Sequence, residues 1–559
     1  MTSSLAVYLP AGPLAAADKP FGRTIANQEL YGALLRHGGF ASLDFVTQQP
    51  TTVQALRQAL GAVDGDAELT ATSVTAPQAA VVARAAGALL RGDPDFHGLA
   101  WERRRLGSDA AYSLAGVVHT LGPPTIRQMI AQAITAPTQA WDAIICTSPS
   151  VRQVLERMLD GHADFLAERF RGVAPARPQL PVIPLGVDAR ALAALADRPQ
   201  VRAERRAEYK LVADEVLVLW VGRLSFFEKA YPQPMFRAVQ EAARASGRRV
   251  VFVMAGWFPN GEQDRRDYAE AAAAYAPDVE VRFEDGTDRA RVGGLWAAAD
   301  IFLSLVDNIQ ETFGLAPVEA MAAGLPVVAS DWDGYRFTVR DSVDGFLIPT
   351  LGGPGGGIGE ELAAPHVQGV ETYQSHVGTL AQATAVEVGR AAQALSDLIA
   401  SPELRRRMGA AGRARAASTF DWPVVVGNIR DLLGDLAERR LAAGETPPSR
   451  HRLNPMQGDP FVDFAPFATA VLTPETRLSV RPGAGTDDIA RAHDVQLDRK
   501  AAYRRTPLPQ TFQAFGLIAS GQASTVAEVT ARFPPDAQGP LQLTLAWLCK
   551  LGILEWRAG

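Results

Sequence analysis

The feature that most constrains this chain is an alternation of short apolar runs with amphipathic stretches, clearest in its second half. Val216 to Val221 reads VLVLWV, with no polar residue to face solvent. Such a run fits a parallel strand covered on both faces by helices. Helical spacing follows over 232–246, then a strand over 250–254, a helix over 263–274 and a strand over 279–283. A helix over 290–298, a strand over 301–305, a short helix from Pro317 and a strand over 326–329 continue the pattern. Alternation of this kind predicts a doubly wound parallel sheet. The first half repeats it. Leu5 to Leu9 reads as a strand, and 23–37 as a helix with Ile25, Leu30, Leu34 and Leu35 on one stripe. Strands are expected at Ser42 to Val46, Gly116 to His119, Ala143 to Thr147 and Leu180 to Ile183. Gly186-Val187-Asp188 reads as a hinge. The expectation is two Rossmann-like α/β domains, 1–188 and 189–440, with ligands beyond the carboxyl ends of their strands.

The rest of the chain is punctuation and one further module. Residues 351–372 begin glycine-rich and read as a surface loop or insertion. Ser401-Pro402-Glu403 is a helix start, with serine as cap and proline in the first turn. The polar stretch 441–460, with its prolines and glycines, reads as a linker. Beyond it, 461–559 is expected to be a small, mainly helical, winged-helix-like module. Its helices are placed at 508–519, 524–533 and 540–551, with Thr525 capping the second and a terminal strand at Ile553 to Trp556.

Composition excludes several classes. The 559 residues carry a net charge of −6, which argues against a broad cationic face for duplex nucleic acid. Two distant cysteines, Cys146 and Cys549, give neither a disulfide framework nor a zinc site. No apolar run reaches the roughly 18 residues of a membrane span, and the opening residues lack the basic region of a secretory signal. The expected address is cytoplasmic, with the inner membrane face as the alternative.

The chemistry is concentrated between Asp300 and Ser330. The strand 301–305 ends in a loop holding Glu311, Thr312, Phe313 and Gly314, followed by a short helix that contains Glu319. The backbone N–H groups of about residues 313 to 316 would open toward an anion at that helix N-terminus. Two glutamates beside an anion make sense if they accept hydrogen bonds from sugar hydroxyls. After the strand 216–221 come Arg223 and Lys229, a fork and a point charge suited to a diphosphate. A ligand with an anionic middle and a sugar at each end satisfies both sets: a nucleoside-diphosphate sugar. Taken singly, Glu311 and Glu319 could be ordinary loop and helix acids, Arg223 and Lys229 solvated charges, and Gly22 a turn glycine. Three Asp-x-Asp triplets, Asp64/Asp66, Asp93/Asp95 and Asp331/Asp333, could hold a divalent ion, but the cationic pair already supplies the counter-charge and no metal is expected. Arg103-Arg104-Arg105 reads as a solvated basic face.

These motifs in this order resemble the retaining glycosyltransferases of family four, glycosyl transferases group one, which have the GT-B fold. The likeness rests on Glu311 and Glu319 eight residues apart with Phe313-Gly314 between, on Gly222-Arg223-Leu224 and Lys229, and on Pro184 to Asp188 as the hinge. Asp344 to Pro349, Arg405 to Gly409 and Phe420-Asp421-Trp422 extend it over about 1–440. The resemblance implies roles. Glu311 would meet the transferred sugar and Glu319 the ribose. Thr312, Phe313, Gly314 and Leu315, with Arg223 and Lys229, would bind the diphosphate. Gly22 would face the phosphates, and His119 the reacting sugar. It implies metal-independent front-face transfer from a UDP- or GDP-linked sugar, with no other cofactor and an unidentified saccharide, lipid or protein acceptor. One departure stands out: Asp331 to Arg336 replaces the family's Gly-Gly and Pro-Glu.

The alternative is a non-catalytic sugar-nucleotide-binding or DNA-binding regulator working through the last module. Residues 501–559 hold five basic against three acidic side chains, so that module is expected to serve a protein partner or self-association rather than nucleic acid.

Overall fold

The computed structural model describes residues 4–9, 22–48, 51–60, 68–73, 76–172, 176–444, 449 and 451–558. The triplet Asp64/Asp66 lies outside them. The chain divides into two compact units, Met1–Leu453 and Asn454–Gly559.

Among its described residues the first unit contains two six-stranded parallel sheets and a small antiparallel pair, Thr350–Leu351 with Ala385–Val386. The first comprises β1 (Ser4–Leu9), β2 (Ser42–Thr47), β3 (Glu68–Ser73), β4 (Ala88–Arg91), β5 (Ser113–Val117) and β6 (Ala143–Ile145). Its order is β3-β2-β1-β4-β5-β6. The second comprises β7 (Val216–Val221), β8 (Val250–Gly256), β9 (Glu280–Asp285), β10 (Ile301–Ser304), β11 (Val327–Ser330) and β12 (Gly345–Ile348). Read from its other edge, its order β9-β8-β7-β10-β11-β12 is the same topology. Each sheet therefore has a switch point where the winding reverses, between β1 and β4 and between β7 and β10, which is where doubly wound folds bind ligands.

Burial explains the placement. In β7 the residues Val216 to Trp220 are all buried, as are all of β8 and β10. Each valine, leucine, isoleucine, phenylalanine or methionine among them contributes about 1.5–3 kcal/mol by leaving water. The outermost strand β9, Glu-Val-Arg-Phe-Glu-Asp, keeps charges along its exposed edge, which discourages pairing with another chain.

The hinge is tied shut by backbone. Val187 N–H donates to Phe420 O at 2.9 Å and Trp422 N–H to Val187 O at 3.1 Å. Helix Trp422–Ala443 then packs on helix Gly22–His37 of the first domain, and Arg440 reaches the carbonyls of Ala110 and Ala111 there. The chain thus returns to the domain in which it began.

Several expectations are corrected. The strand placed at Gly116 to His119 is Ser113–Val117, which leaves His119 two residues past its end, in a loop. Leu180 to Ile183 makes only an isolated bridge, Cys146 to Val182. The glycine-rich stretch 351–372 is no simple loop: helix Gly357–Val367 runs through it, and helix Tyr373–Gln382 follows. Arg103 is wholly buried, with its two Nη atoms 2.6 and 2.8 Å from the oxygens of Asp142. Arg104 pairs with Asp109, and Arg105 with Glu102 of its own helix, so the run meets partners within the first domain instead of forming a solvated face.

The second unit has its own core, built on Leu478, Ile489, Phe515, Leu541, Leu545 and Leu548. Helices Leu508–Ala519, Val526–Thr530 and Pro535–Lys550 match three expected ones, and Thr525 caps the second in a capping box with Glu528. Helix Thr486–Asp494 was not anticipated. The terminal strand Leu554–Arg557 pairs antiparallel with Arg477–Val480. This is a mainly helical unit with a two-stranded sheet.

Candidate functional site

A cavity of about 570 Å³ opens between the two sheets of the first unit. Gly22, His119, Arg223, Lys229, Thr312, Phe313, Gly314, Leu315, Glu311 and Glu319 all line it. The structure thus brings every sequence-derived site residue to one cleft.

The floor comes from the second sheet. Beyond β7, Arg223 lies against Glu228 (Nη1 to Oε2, 2.7 Å) and over the ring of Trp257, 5.8 Å from its centre. Lys229 Nζ lies 3.0 Å from Glu311 Oε2. Beyond β10, Gly314 takes a left-handed conformation, φ +89°, and the helix begins at Leu315. Pro317 is therefore the third helical residue, not the first, and Glu319 sits in the second turn, not the first.

The anion site at this helix differs from the sequence picture in one respect. Glu311 Oε1 accepts from Gly314 N–H at 3.1 Å and Thr312 N–H at 3.3 Å. The carboxylate caps its own loop because a short acidic side chain next to unpaired N–H groups is the nearest acceptor. Burial alone would raise the Glu311 carboxyl, but Lys229 and the backbone N–H groups of Thr312 and Phe313 outweigh it and hold it below the usual range. Glu319 has no such help. Burial, reinforced by the charge of Glu29, pushes it up to about 7.

The roof comes from the first sheet. Gly22 opens helix Gly22–His37 at the cavity, with Arg23 beside it. Asn27 Nδ2 donates to Gly92 O at 3.0 Å, which turns its Oδ1 toward His119 Nε2 at 2.8 Å. The imidazole therefore carries its proton on Nε2. Burial first, and the charge of Arg23 second, depress the His119 pKa to about 4, so the ring is neutral at neutral pH.

The two domains meet across this loop. Thr312 Oγ1 donates to His119 O at 2.9 Å, and Ser150 Oγ donates to Asp333 O at 3.0 Å. Asp333 adopts φ +43°, and burial together with the Glu311 charge raises its carboxyl well above the normal range. The departure at Asp331 to Arg336 is thus part of the domain contact. Asp93 and Asp95 instead pair with Arg91, and Asp95 also with His97. Among the described residues there is no cluster of three or more side chains suited to a metal ion.

Sequence reasoning passed over Glu228, Trp257, Tyr335 and Tyr373, all of which line the cavity. Glu228 had a signal in its place one residue before Lys229. Tyr373 had none; it opens the helix that follows the stretch read as a loop or insertion.

Residues 201–351 match the family described as glycosyl transferases group 1. The chain is 31% identical over 210 residues to a D-inositol 3-phosphate glycosyltransferase of Nocardia farcinica, spanning 36% of this chain and 45% of that protein. It is 29% identical over 347 residues to the Mycobacterium bovis protein of the same name, 61% of this chain and 57% of that one. It therefore spans about half the length of the curated relatives it matches. Anabaena HepE, solved with UDP and glucose, superposes with a TM-score of 0.51 at 15% identity, covering 77% of this chain and 99% of that one. That likeness extends the GT-B architecture over the first unit. Among the described residues no helix is long and apolar enough to cross a membrane. Paired sheets of one topology with a cleft at both switch points give the chain the GT-B fold, and residues 201–351 of its second domain are similar to the group 1 glycosyl transferases.

Proposed function

We propose that the protein transfers a glycosyl group from a nucleoside-diphosphate sugar to a hydroxyl acceptor, with retention at the anomeric carbon and without a divalent metal. The observation that carries this reading is the convergence of Arg223, Lys229, Glu311, Glu319 and the N-termini of two helices on one cavity. The pyrophosphate would lie against the cations and the helix ends. Glu319 would accept from the ribose diol, and Glu311 from hydroxyls of the transferred sugar. Because Lys229 already pairs with Glu311, the donor must slip between them, with its phosphate taking the ammonium and its sugar the carboxylate.

In the reaction the bond from the anomeric carbon to the terminal phosphate oxygen breaks. The acceptor oxygen bonds to that carbon from the same face, and its proton passes to the departing phosphate. Arg223 and Lys229 would stabilise charge as it builds on that phosphate. The neutral His119 would face the sugar without adding a competing cation. HepE, solved with UDP and glucose, favours a UDP-linked hexose as donor. The curated relatives named for D-inositol 3-phosphate favour a polyol-like acceptor. Residues 454–559 are read as a protein-interaction or self-association module, and a salt-sensitive shift of duplex DNA by the full chain would overturn that part.

The deciding experiment incubates the protein with a panel of nucleotide sugars and candidate acceptors. Diphosphate release and the product's anomeric configuration are followed by NMR. A product that keeps the donor's configuration, formed undiminished in excess chelator, is expected. Inversion would overturn retention, and activity lost to chelator and restored by manganese would overturn metal independence. Failure of every nucleotide sugar to bind would remove the reading altogether.

A further inference from the structure

Three cationic side chains line the cavity among the described residues: Arg23, Arg223 and Lys229. Two of them are engaged by acids, Arg223 by Glu228 at 2.7 Å and Lys229 by Glu311 at 3.0 Å. Those pairs cancel. Arg23, the second residue of helix Gly22–His37, is exposed, and no hydrogen bond or ion pair joins it to another described residue. That helix has no acid in its first turn, so guanidinium and helix end present positive charge together. A diphosphate bears a negative charge on each phosphorus. On entering the cleft, its uncancelled complement is Arg23.

The position of Arg23 also selects which phosphate it meets. It is close enough to His119 for its charge to act on that ring, and it comes from the domain opposite Arg223 and Lys229. The His119 loop contacts Thr312, next to Glu311, where the sugar end of the donor is placed.

We propose that Arg23 is a donor-binding residue supplied by the first domain, its guanidinium taking the non-bridging oxygens of the sugar-linked phosphate. The inference rests on the donor reading above and adds a contact that reading does not contain. An arginine fork can meet two phosphate oxygens at once. As the glycosyl bond breaks, the sugar-linked phosphate becomes the terminal one and gains charge. Arg23 would hold that charge from one domain while Arg223 and Lys229 hold it from the other, so stabilisation requires the domains to be together.

The test is calorimetric titration of the full chain, wild type and variants, with UDP, UMP, GDP and GMP. Arg23→Ala should weaken the diphosphate that wild type prefers by about tenfold or more and leave the matching monophosphate within about twofold. Arg23→Lys should restore part of the loss, and melting temperatures should not move, since the side chain is exposed. Equal diphosphate affinity in Arg23→Ala and wild type would overturn the assignment, and so would an equal loss for mono- and diphosphate. The double variant Arg223→Ala/Lys229→Ala separates the two levels. If it loses diphosphate binding while Arg23→Ala keeps it, the donor site stands and only the Arg23 inference falls. If wild type binds none of the four, both fall.

Discussion

At Glu311 burial and charge pull in opposite directions, and charge prevails. The lysine at 3.0 Å and two backbone N–H groups keep the carboxylate ionised inside the cleft. Glu311→Gln keeps the shape and removes the charge. Turnover should fall about hundredfold, the size of effect typical of a lost transition-state contact, with the melting temperature little changed. Unchanged steady-state kinetics would take Glu311 out of the site. Glu319 behaves differently, because its pKa of about 7 lies above the ordinary glutamate range. Its contribution to stability is therefore whole at acid pH and is lost as pH rises through about 7. Binding has the opposite sign, since a ribose diol donates to the ionised form. Donor affinity should rise between mildly acid and mildly alkaline pH, with a proton released on binding. Calorimetry in buffers of different ionisation enthalpy measures that release, and Glu319→Gln should abolish it. Should affinity stay flat with pH in wild type, Glu319 does not hold the ribose as a carboxylate.

Among the elements, the turn into helix Leu315–Ala322 is the least forgiving. Gly314 has φ +89°, and a Cβ there would run into the ring of Tyr335. Gly314→Ala combines backbone strain with a clash, and a loss of about 2 kcal/mol or more is expected by urea unfolding. The left-handed glycine also explains why the helix starts before Pro317: the chain has already turned, and the proline needs only to avoid donating. Helix His97–Arg105 makes a similar point about charge. Three consecutive arginines look like a solvated face, yet Arg103 is fully buried, its two Nη groups bonded to Asp142 and the carbonyls of Tyr112 and Pro137. Arg103→Ala should cost about 3–5 kcal/mol by stranding Asp142, and the same change at Arg105 almost nothing. Thermal melts of the two variants compare them directly.

For the whole molecule, the two sheets share one strand order and place their switch points across a single cleft. Every lining residue precedes the second unit, so a chain ending at Leu453 should bind donor with unchanged affinity by calorimetry. A clear loss would show that residues 454–559 support the site. The fold class was legible from the sequence because buried parallel strands must be apolar throughout, and VLVLWV can hardly be anything else. So were the site residues of the second domain, since a strand, a loop and a helix N-terminus lie within one short stretch and their chemistry is local. Strands β3 and β4 escaped, as did helix Thr486–Asp494, because their runs are short or polar. What tertiary structure alone decided is company. Lys229 beside Glu311, Asn27 beside His119 and Ser150 beside Asp333 join residues from separate elements. A sequence states which charges a chain carries. Which of them cancel, and which are left to meet a ligand, depends on distances that arise only when the sheets form and bring loops far apart in the chain to one cleft.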